Sequence, residues 1–329
     1  MILSGLLIVA VAHGATRDRP SAATQRPPVR VGLVADPAFV NSPIGRNLVS
    51  GLRRAMRELG VTAVVLTPGP KEGSTPSIAY LGRQHYDLIV PVDFTAESLD
   101  AAARRFPGTR FLGFGLPPEA LAHGPKNVRS VLFRSEEAGY LAGYLAGLVE
   151  KRRPGRHTIS SVGGVRIPAV DRFIAGYQAG ARRAAPGIRT LNAYSGDFID
   201  MRKCKAIAAD QIARGSRVVF NVAGACGLGA LSAARSAGVY GLGVDTDQSF
   251  LGPHILTSAM NRFDVVLFNA IRDVQRGTFT SRPAVHSLRD GGVDLGRISP
   301  RVPSSIVRKV RAVRRQILEG RIEVPSAIR

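Results

Sequence analysis

Apolar segments of strand length alternate with longer segments of helical periodicity along nearly the whole chain. Residues 29–36 form an apolar run that ends in an acid, and residues 48–59 carry apolar residues at helical spacing before Gly60. Similar pairs follow from residue 61 to residue 276. Strands that alternate with helices of about 10–15 residues form parallel sheets that are covered on both faces. We therefore predict an α/β fold.

The number of predicted strands limits how they are arranged. The alternation implies more than about ten strands, which a single open sheet rarely holds. A chain of 329 residues is long enough for two domains. We therefore predict two doubly wound parallel-sheet lobes that face a cleft. In sheets of this kind, ligands bind at the carboxyl ends of the strands.

The formal net charge of +21 raises the question of a nucleic-acid partner. Basic residues are densest at 151–156 and 308–315, and neither segment has the interleaved aromatic residues of a single-strand binder. A solvated basic face, or attraction to an anionic envelope, accounts for the charge. We expect no nucleic-acid partner. The absence of an apolar run of about 18 residues also excludes a polytopic membrane protein.

The amino-terminal segment allows two interpretations. Residues 1–12 are almost all apolar, and a polar, proline-rich segment follows through Pro28. This order resembles a secretory signal, although the usual basic residues before the apolar core are missing and no nearby cysteine follows that would carry a lipid. A short hydrophobic tail without function is the alternative. We interpret residues 1–28 as an export signal and linker, and we expect an extracytoplasmic protein associated with the cell envelope.

Residue patterns that would carry catalysis are missing from the sequence. The six histidines are scattered, with no pair at metal-ligand spacing. Neither a nucleophile elbow nor a phosphate-binding Walker loop is present. We therefore expect no enzymatic activity, no metal and no cofactor.

Polar residues end several predicted strands: Asp36, Asp93, Asn221 and Asp245. Because the carboxyl ends of parallel strands meet at one edge, these residues are candidates for polar contacts with a ligand. A carboxylate such as that of Asp245 can accept two hydrogen bonds from vicinal sugar hydroxyls. The alternative is that Asp245 caps a helix or a turn.

Aromatic and glycine residues near the same edge are also ambiguous. Phe94 and Phe220 are candidate walls of the cleft, where a ring stacks on a base or a sugar, but core packing is the alternative for each. Gly224 begins a glycine-rich segment after a strand. This segment either forms a tight turn or presents backbone amides to a polar ligand.

The two cysteines of the chain occupy corresponding places in neighbouring βα units. Cys204 lies in the first turn of a predicted helix, and Cys226 lies just after the next strand. Both positions are at the carboxyl edge, where they can approach closely enough for a disulfide. Two independent small core residues are the alternative.

An ordered set of motifs resembles a known family. The motifs are residues 133–143 (FRSEEAGYLAG), 162–168 (VGGVRIP), 222–224 (VAG), 227–229 (GLG), 243–249 (GVDTDQS), 256–259 (LTSA) and 291–293 (GGV). Together they resemble the basic membrane protein family, the solute-binding components of ABC importers related to purine nucleoside receptor lipoproteins. The resemblance covers residues 29–325. A cysteine pair at the positions of Cys204 and Cys226 also resembles that of some relatives.

The resemblance implies a type I periplasmic-binding-protein fold whose lobes are joined by a hinge and close on a nucleoside or a similar small polar solute. Asp36 matches the acid that ends the first strand, and Asp245 matches the acid expected to bind ribose hydroxyls. Phe220 and Asn221 match the end of a strand that faces the cleft. On this fold we assign residues 29–133 and about 259–285 to the first lobe. We assign residues 134–258 and about 286–329 to the second, with the last helix left open.

Three positions depart from the pattern of the family. The loop that begins at Asn41, a candidate ligand contact, carries Ile44 where the family has an aromatic residue. Gly115 stands in place of an acid that would bind a purine, and Asn261, another candidate ligand contact, replaces a lysine. These changes leave the implied fold intact, but they remove an aromatic residue and an acid that would contact a purine base.

We interpret the chain as a monomeric, non-catalytic solute-binding protein that delivers a nucleoside-like solute to an ABC permease in the membrane. A ligand-sensing regulator of the same fold, not coupled to transport, is the alternative. A sugar- or nucleoside-cleaving enzyme is a third interpretation, but the sequence lacks an acid–base pair or a nucleophile for it.

Overall fold

A computed structural model gives the fold of residues 27–69, 73–92, 95–116 and 124–328. The predicted export signal and most of its linker lie outside the described residues. Asp93 and Phe94, two of the predicted ligand contacts, also lie outside them.

The described residues form twelve strands and ten α-helices, in the predicted alternation as far as residue 276. The strands are β1 (Arg30–Val34), β2 (Thr62–Leu66), β3 (Leu88–Pro91), β4 (Arg110–Phe114), β5 (Val128–Phe133), β6 (Thr158–Gly163), β7 (Arg189–Tyr194), β8 (Val218–Val222), β9 (Tyr240–Asp245), β10 (Ile255–Asn261), β11 (Ala284–His286) and β12 (Val293–Leu295). The helices are α1 (Pro37–Asn41), α2 (Pro43–Leu59), α3 (Thr75–Arg83), α4 (Ala96–Arg105), α5 (Ser135–Glu150), α6 (Pro168–Ala184), α7 (Met201–Ala213), α8 (Gly227–Ser236), α9 (Phe263–Arg276) and α10 (Ser304–Leu318).

The strands form two six-stranded sheets, one in each lobe. The first sheet has the order β11-β5-β4-β3-β1-β2, and the second has the order β12-β10-β9-β8-β6-β7. Neighbouring strands are parallel except for the pair β10 and β12, which is antiparallel. The predicted two-lobed, doubly wound α/β architecture is therefore confirmed.

The chain passes between the lobes at three connections. These are the step from β5 to α5, the step from β10 to α9, and the segment from β11 to β12. β10 continues in the second sheet to Asn261, and β11 belongs to the first sheet up to His286. The sheets therefore place the crossings a few residues later than the predicted boundaries at 259 and 286.

Helices α9 and α10 pack in different lobes. The side chains of Val266, Leu267 and Ile271 on α9 lie in the core of the first lobe. Ile306 and Val310 of α10 lie in the core of the second lobe, against residues of α5 and α6. These contacts show where the last helix packs, which the sequence left open.

Glycines of α5 and α6 let these two helices approach at backbone distance. A Cβ atom built on Gly139 or Gly143 of α5 would lie 2.3 Å or 1.9 Å from a carbonyl oxygen of α6. Gly176 and Gly180 of α6 face the carbonyl oxygens of α5 in the same way, at 2.0 Å and 2.1 Å. The glycine spacing in residues 133–143 therefore serves close helix packing, which leaves no room for a side chain.

Replacing Gly143 with alanine is expected to lower the free energy of unfolding by about 1–3 kcal/mol, because the helices must separate to admit the new methyl group. Gly108 provides a matched control, since it is exposed, has a negative φ and has no atom within 4 Å of a built Cβ. Alanine there should change stability by less than about 0.5 kcal/mol. Urea unfolding of both variants measures this difference, and equal midpoints would contradict the packing argument.

Among the described residues, no helix is both long enough and apolar enough to cross a bilayer.

Candidate functional site

The carboxyl ends of the two sheets meet where the lobes are connected. Ser135, two residues after the end of β5 in the first sheet, donates a hydrogen bond of 2.9 Å from Oγ to Oδ1 of Asn261, the last residue of β10 in the second sheet. Arg134 N donates to His286 O, and Arg262 N donates to Gly292 O, both at 2.8 Å. The three connections are thus hydrogen-bonded to one another beside the carboxyl edges, where ligands of doubly wound sheets bind.

Asp245 is the most unusual acid at this edge. It is the last residue of β9 and has a φ of +61°, a left-handed conformation that a residue other than glycine adopts rarely. The residue keeps a small accessible surface, but its carboxyl group is surrounded by protein atoms. This burial raises the pKa of Asp245 to about 7, and the hydrogen bond from Asn261 opposes the rise.

The Asp245 carboxyl group has one polar contact among the described residues. Asn261 Nδ2 donates to Asp245 Oδ1 at 3.4 Å, which is a long hydrogen bond. No ion pair involves Asp245 in the described ranges. A nearly unpartnered, buried carboxyl group at a strand end retains the acceptor capacity that a hydroxyl-bearing ligand would use.

Asn221 has a structural role in this conformation. Its side chain has no accessible surface, its Oδ1 accepts from Ala223 N at 3.0 Å, and its Nδ2 donates to Gln248 Oε1 at 3.3 Å. A Cβ on Gly227 would lie only 1.5 Å from Asn221 Oδ1, so glycine is required there. Asn221 therefore supports the turn after β9 through its hydrogen bond to Gln248, and it presents no group to the cleft.

Phe220 does not form a wall of the cleft in this structure, contrary to the prediction. Its ring is fully buried in the core of the second lobe, with its centroid 4.9 Å from that of Tyr177 and 6.3 Å from that of Phe173. The residue lies two positions before the end of β8 and points to the face covered by α6. Core packing, the alternative interpretation, describes its position.

In the first lobe, Asp36 and Asn41 lie at the two ends of helix α1. Asp36 is half-buried and caps α1, because its Oδ1 accepts from Phe39 N at 2.8 Å. Its second carboxylate oxygen has no partner among the described residues. Asn41 is exposed, and its Nδ2 donates to Pro37 O at 2.9 Å. Both residues follow the carboxyl end of β1.

Gly224 lies in a tight turn after β8. Its φ is +55°, and a Cβ there would approach Phe198 O to 3.3 Å. Cys226 N donates to the same carbonyl oxygen at 3.0 Å. The turn thus packs against the segment between β7 and α7.

A disulfide joins Cys204 of α7 to Cys226 at the end of that turn, with a Cα–Cα distance of 5.6 Å. The predicted pairing is confirmed. The bond joins the first turn of α7 to the turn before α8 at the carboxyl edge of the second sheet.

Two buried groups at the connections were missed as contributors to the site. Ser135 stood out in the sequence only as part of the motif at residues 133–143, although its hydroxyl bonds Asn261. Glu137 accepts from Leu288 N at 2.8 Å and pairs with Arg134 at 3.1 Å, while burial raises its pKa. Glu137 thereby joins the first and third connections. Sequence separations of 126 and 151 residues hid both contacts.

The polar groups at this edge can bind a polar solute. Within the described ranges, no group of three or more His, Cys, Asp or Glu side chains is placed to hold a metal ion.

Comparison with known proteins identifies the family. The family model "Bmp: ABC transporter substrate-binding protein PnrA-like" matches residues 28–327. The chain belongs to this family. Bmp proteins are substrate-binding proteins rather than enzymes, which agrees with the non-catalytic interpretation.

Bmp relatives match most of the chain. "ABC transporter nucleoside-binding protein BmpA" of Lactococcus lactis subsp. cremoris is 30% identical over 264 residues, covering 74% of this chain and 72% of that protein. "Basic membrane protein A1" of Borrelia garinii subsp. bavariensis is 30% identical over 309 residues, covering 90% of this chain and 88% of that protein.

A solved structure of an ABC transporter solute-binding protein from Conexibacter woesei shares the fold of this Bmp protein. Its TM-score is 0.75 at 22% identity, with 91% of this chain and 99% of that chain covered. The predicted type I periplasmic-binding-protein fold is therefore confirmed.

Proposed function

We propose that this Bmp protein is the solute-binding component of an ABC importer and captures a ribonucleoside between its lobes. The observation that carries the proposal is the Asp245 carboxyl group, buried at the carboxyl edge of the second sheet with one long hydrogen bond. The relative from Lactococcus lactis, whose name states nucleoside binding, supports this ligand class.

Ribose chemistry fits the Asp245 carboxylate. The two vicinal hydroxyls of ribose are donors, and a carboxylate offers two acceptor oxygens at a matching spacing. Hydrogen bonds to a charged acceptor contribute more than neutral ones, about 1.5–3 kcal/mol each. In this proposal, Asp36 and Asn41 contribute polar side chains from the first lobe, and Gly224 contributes its backbone amide from the second lobe. A ligand that bridges both lobes stabilises their closed arrangement.

The base of the nucleoside has fewer specific partners in this chain. Ile44 stands where the family has an aromatic residue, and it packs against the core of the first lobe. Gly115 is exposed and offers no side chain. An aromatic platform contributes about 1–3 kcal/mol per base, so its loss weakens discrimination among bases. We propose that the sugar dominates recognition and that several bases are accepted.

The setting of this function follows the family. We propose that the protein works outside the cytoplasm as a monomer and delivers its solute to a membrane permease. Closure on the ligand would present the permease with a shape that the open form lacks.

Thermal unfolding against a panel of nucleosides, bases, pentoses and polyols tests the proposal. A ribonucleoside at about 100 times its dissociation constant is expected to stabilise the fold by about 2.7 kcal/mol. The melting temperature should then rise by roughly 5–10 °C. Several ribonucleosides should act, and free bases should not. A shift from pentoses alone would contradict nucleoside binding, and no shift from any solute would contradict the solute-binding role.

A further inference from the structure

The amide of Asn261 links Asp245 to Ser135. The Ser135 hydroxyl donates to Asn261 Oδ1 at 2.9 Å, which leaves the amide nitrogen to donate to Asp245 Oδ1. An amide has one donor end and one acceptor end, so while Ser135 donates to the oxygen, the nitrogen end faces the carboxyl group. Asn261 is buried, with 7% of its surface accessible, so water does not substitute readily for either bond.

This chain of hydrogen bonds spans two of the three connections between the lobes. Ser135 is the first residue of α5, directly after the connection from β5, and Asn261 is the last residue before the connection to α9. Lobe closure is absorbed by a few residues at such connections. The Asp245 carboxyl group is therefore linked through Asn261 to residues at both of these connections.

The charged groups around Asp245 pair with other partners. Arg262 pairs with Asp264 at 2.9 Å. On the start of α5, Arg134 pairs with Glu136 and Glu137. On β12, Asp294 pairs with Arg314 at 3.4 Å. The turn after β9 presents Gln248, which is uncharged, and Asp247, whose Oδ1 accepts from Ser249 N. The neutral amide of Asn261 is thus the one described group that steadies the carboxylate.

We propose that Ser135 and Asn261 are positioning residues of the ligand site, which orient the Asp245 carboxyl group and couple its occupation to the connections between the lobes. This inference rests on the proposed function for its ligand. It assigns a role to Ser135, the first residue of α5, that helix packing does not explain.

The test is the pH dependence of inosine affinity, measured by calorimetry from pH 5.5 to pH 9. In the unmodified protein, affinity should rise about tenfold per pH unit below pH 7 and level off above it, because proton and ligand compete for the carboxylate. Asn261→Lys places an ammonium group beside Asp245, which favours its ionised form. The inflection should then move at least one pH unit lower.

Ser135→Ala removes the hydroxyl that orients the amide. Without this anchor the amide nitrogen donates less well to the ionised carboxylate, so the inflection should move to higher pH and affinity at pH 7 should fall about three- to tenfold. Ser135→Thr keeps the hydroxyl and should restore the unmodified profile. A purely structural role would lower stability without moving the inflection. An unchanged inflection in both Ser135→Ala and Asn261→Lys would overturn the inference.

A second readout separates this inference from the proposed function. If neither the unmodified protein nor any variant binds inosine, the proposed ligand is wrong. The hydrogen-bond chain is then tested through the pH dependence of the stability of the ligand-free protein. There, the free energy of unfolding of the unmodified protein minus that of Asp245→Asn should decrease as pH rises from about 4 to about 7, from near zero to a negative value. Asn261→Lys, compared with the double variant Asn261→Lys and Asp245→Asn, should show a smaller decrease. Equal decreases would overturn the positioning role.

Discussion

Replacing Asp245 with asparagine is expected to weaken ribonucleoside binding about 100-fold at pH 8. The ionised carboxylate accepts hydrogen bonds from both ribose hydroxyls, and an amide accepts only through its single oxygen. The loss of one hydrogen bond to a charged acceptor is worth about 1.5–3 kcal/mol, and about 2.7 kcal/mol corresponds to 100-fold. Asparagine tolerates the left-handed φ of +61°, so the variant should keep its fold. Calorimetric titration of both proteins measures the change.

The same substitution has an opposite effect on the free protein. The pKa of Asp245 is raised from 3.8 to about 7, so the stabilisation that its protonated form provides is present below pH 4 and is lost as pH rises through 7. At pH 8 this loss amounts to at most about 4 kcal/mol. Asp245→Asn should therefore unfold at higher urea concentration than the unmodified protein at pH 8, with little difference at pH 4. A variant that binds normally, or is destabilised equally at both pH values, would contradict this role for Asp245.

Replacing both Cys204 and Cys226 with alanine is expected to lower the free energy of unfolding by about 3 kcal/mol. The disulfide closes a segment of 22 residues, which restricts the unfolded chain. Both positions are fully buried in a cluster of small apolar residues, so alanine introduces no unsatisfied polar group. Differential scanning calorimetry should show an earlier transition for the second lobe.

Reductant serves as the control for the disulfide. Dithiothreitol should lower the melting temperature of the unmodified protein and leave the double alanine variant unchanged. Hydrogen exchange should locate the loss of protection at α7, α8 and the loops that the bond joins. A melting temperature of the unmodified protein that does not respond to full reduction would contradict a stabilising role.

The alternation of strands and helices was enough to predict the architecture, because parallel strands buried on both faces leave continuous apolar runs. Strands β11 and β12 were missed because each has only three residues, too few to show a pattern. Their pairing with β5 and β10 depends on contacts far away in sequence. The crossing points were therefore displaced by a few residues.

The candidate site was predicted in part. The rule that ligands bind at the carboxyl ends of strands drew attention to Asp245, which lies at such an end with an unusual pKa. The same rule was too coarse for Phe220 and Asn221, since both lie inside β8 and pack within the second lobe. In a sheet covered on both faces, alternation does not distinguish a core position from a cleft position.

Contacts between the connections were beyond sequence reasoning. The bond between Ser135 and Asn261 depends on how two helices and two sheets meet, and no local pattern encodes it. In this chain the group that contacts Asp245 is the neutral amide of Asn261 rather than a cation. The resemblance to the family indicated that the site was altered, and the structure indicates which carboxyl group the alteration affects.

The most direct test of the account compares inosine with 2′-deoxyinosine, each titrated at pH 8 into the unmodified protein and into Asp245→Asn. If Asp245 binds the vicinal hydroxyls, the unmodified protein should prefer inosine by at least about tenfold, equivalent to about 1.4 kcal/mol. In Asp245→Asn this preference should fall to about twofold or less. Equal affinity of the unmodified protein for the two nucleosides, or a preference that persists without the carboxylate, would contradict the proposed site.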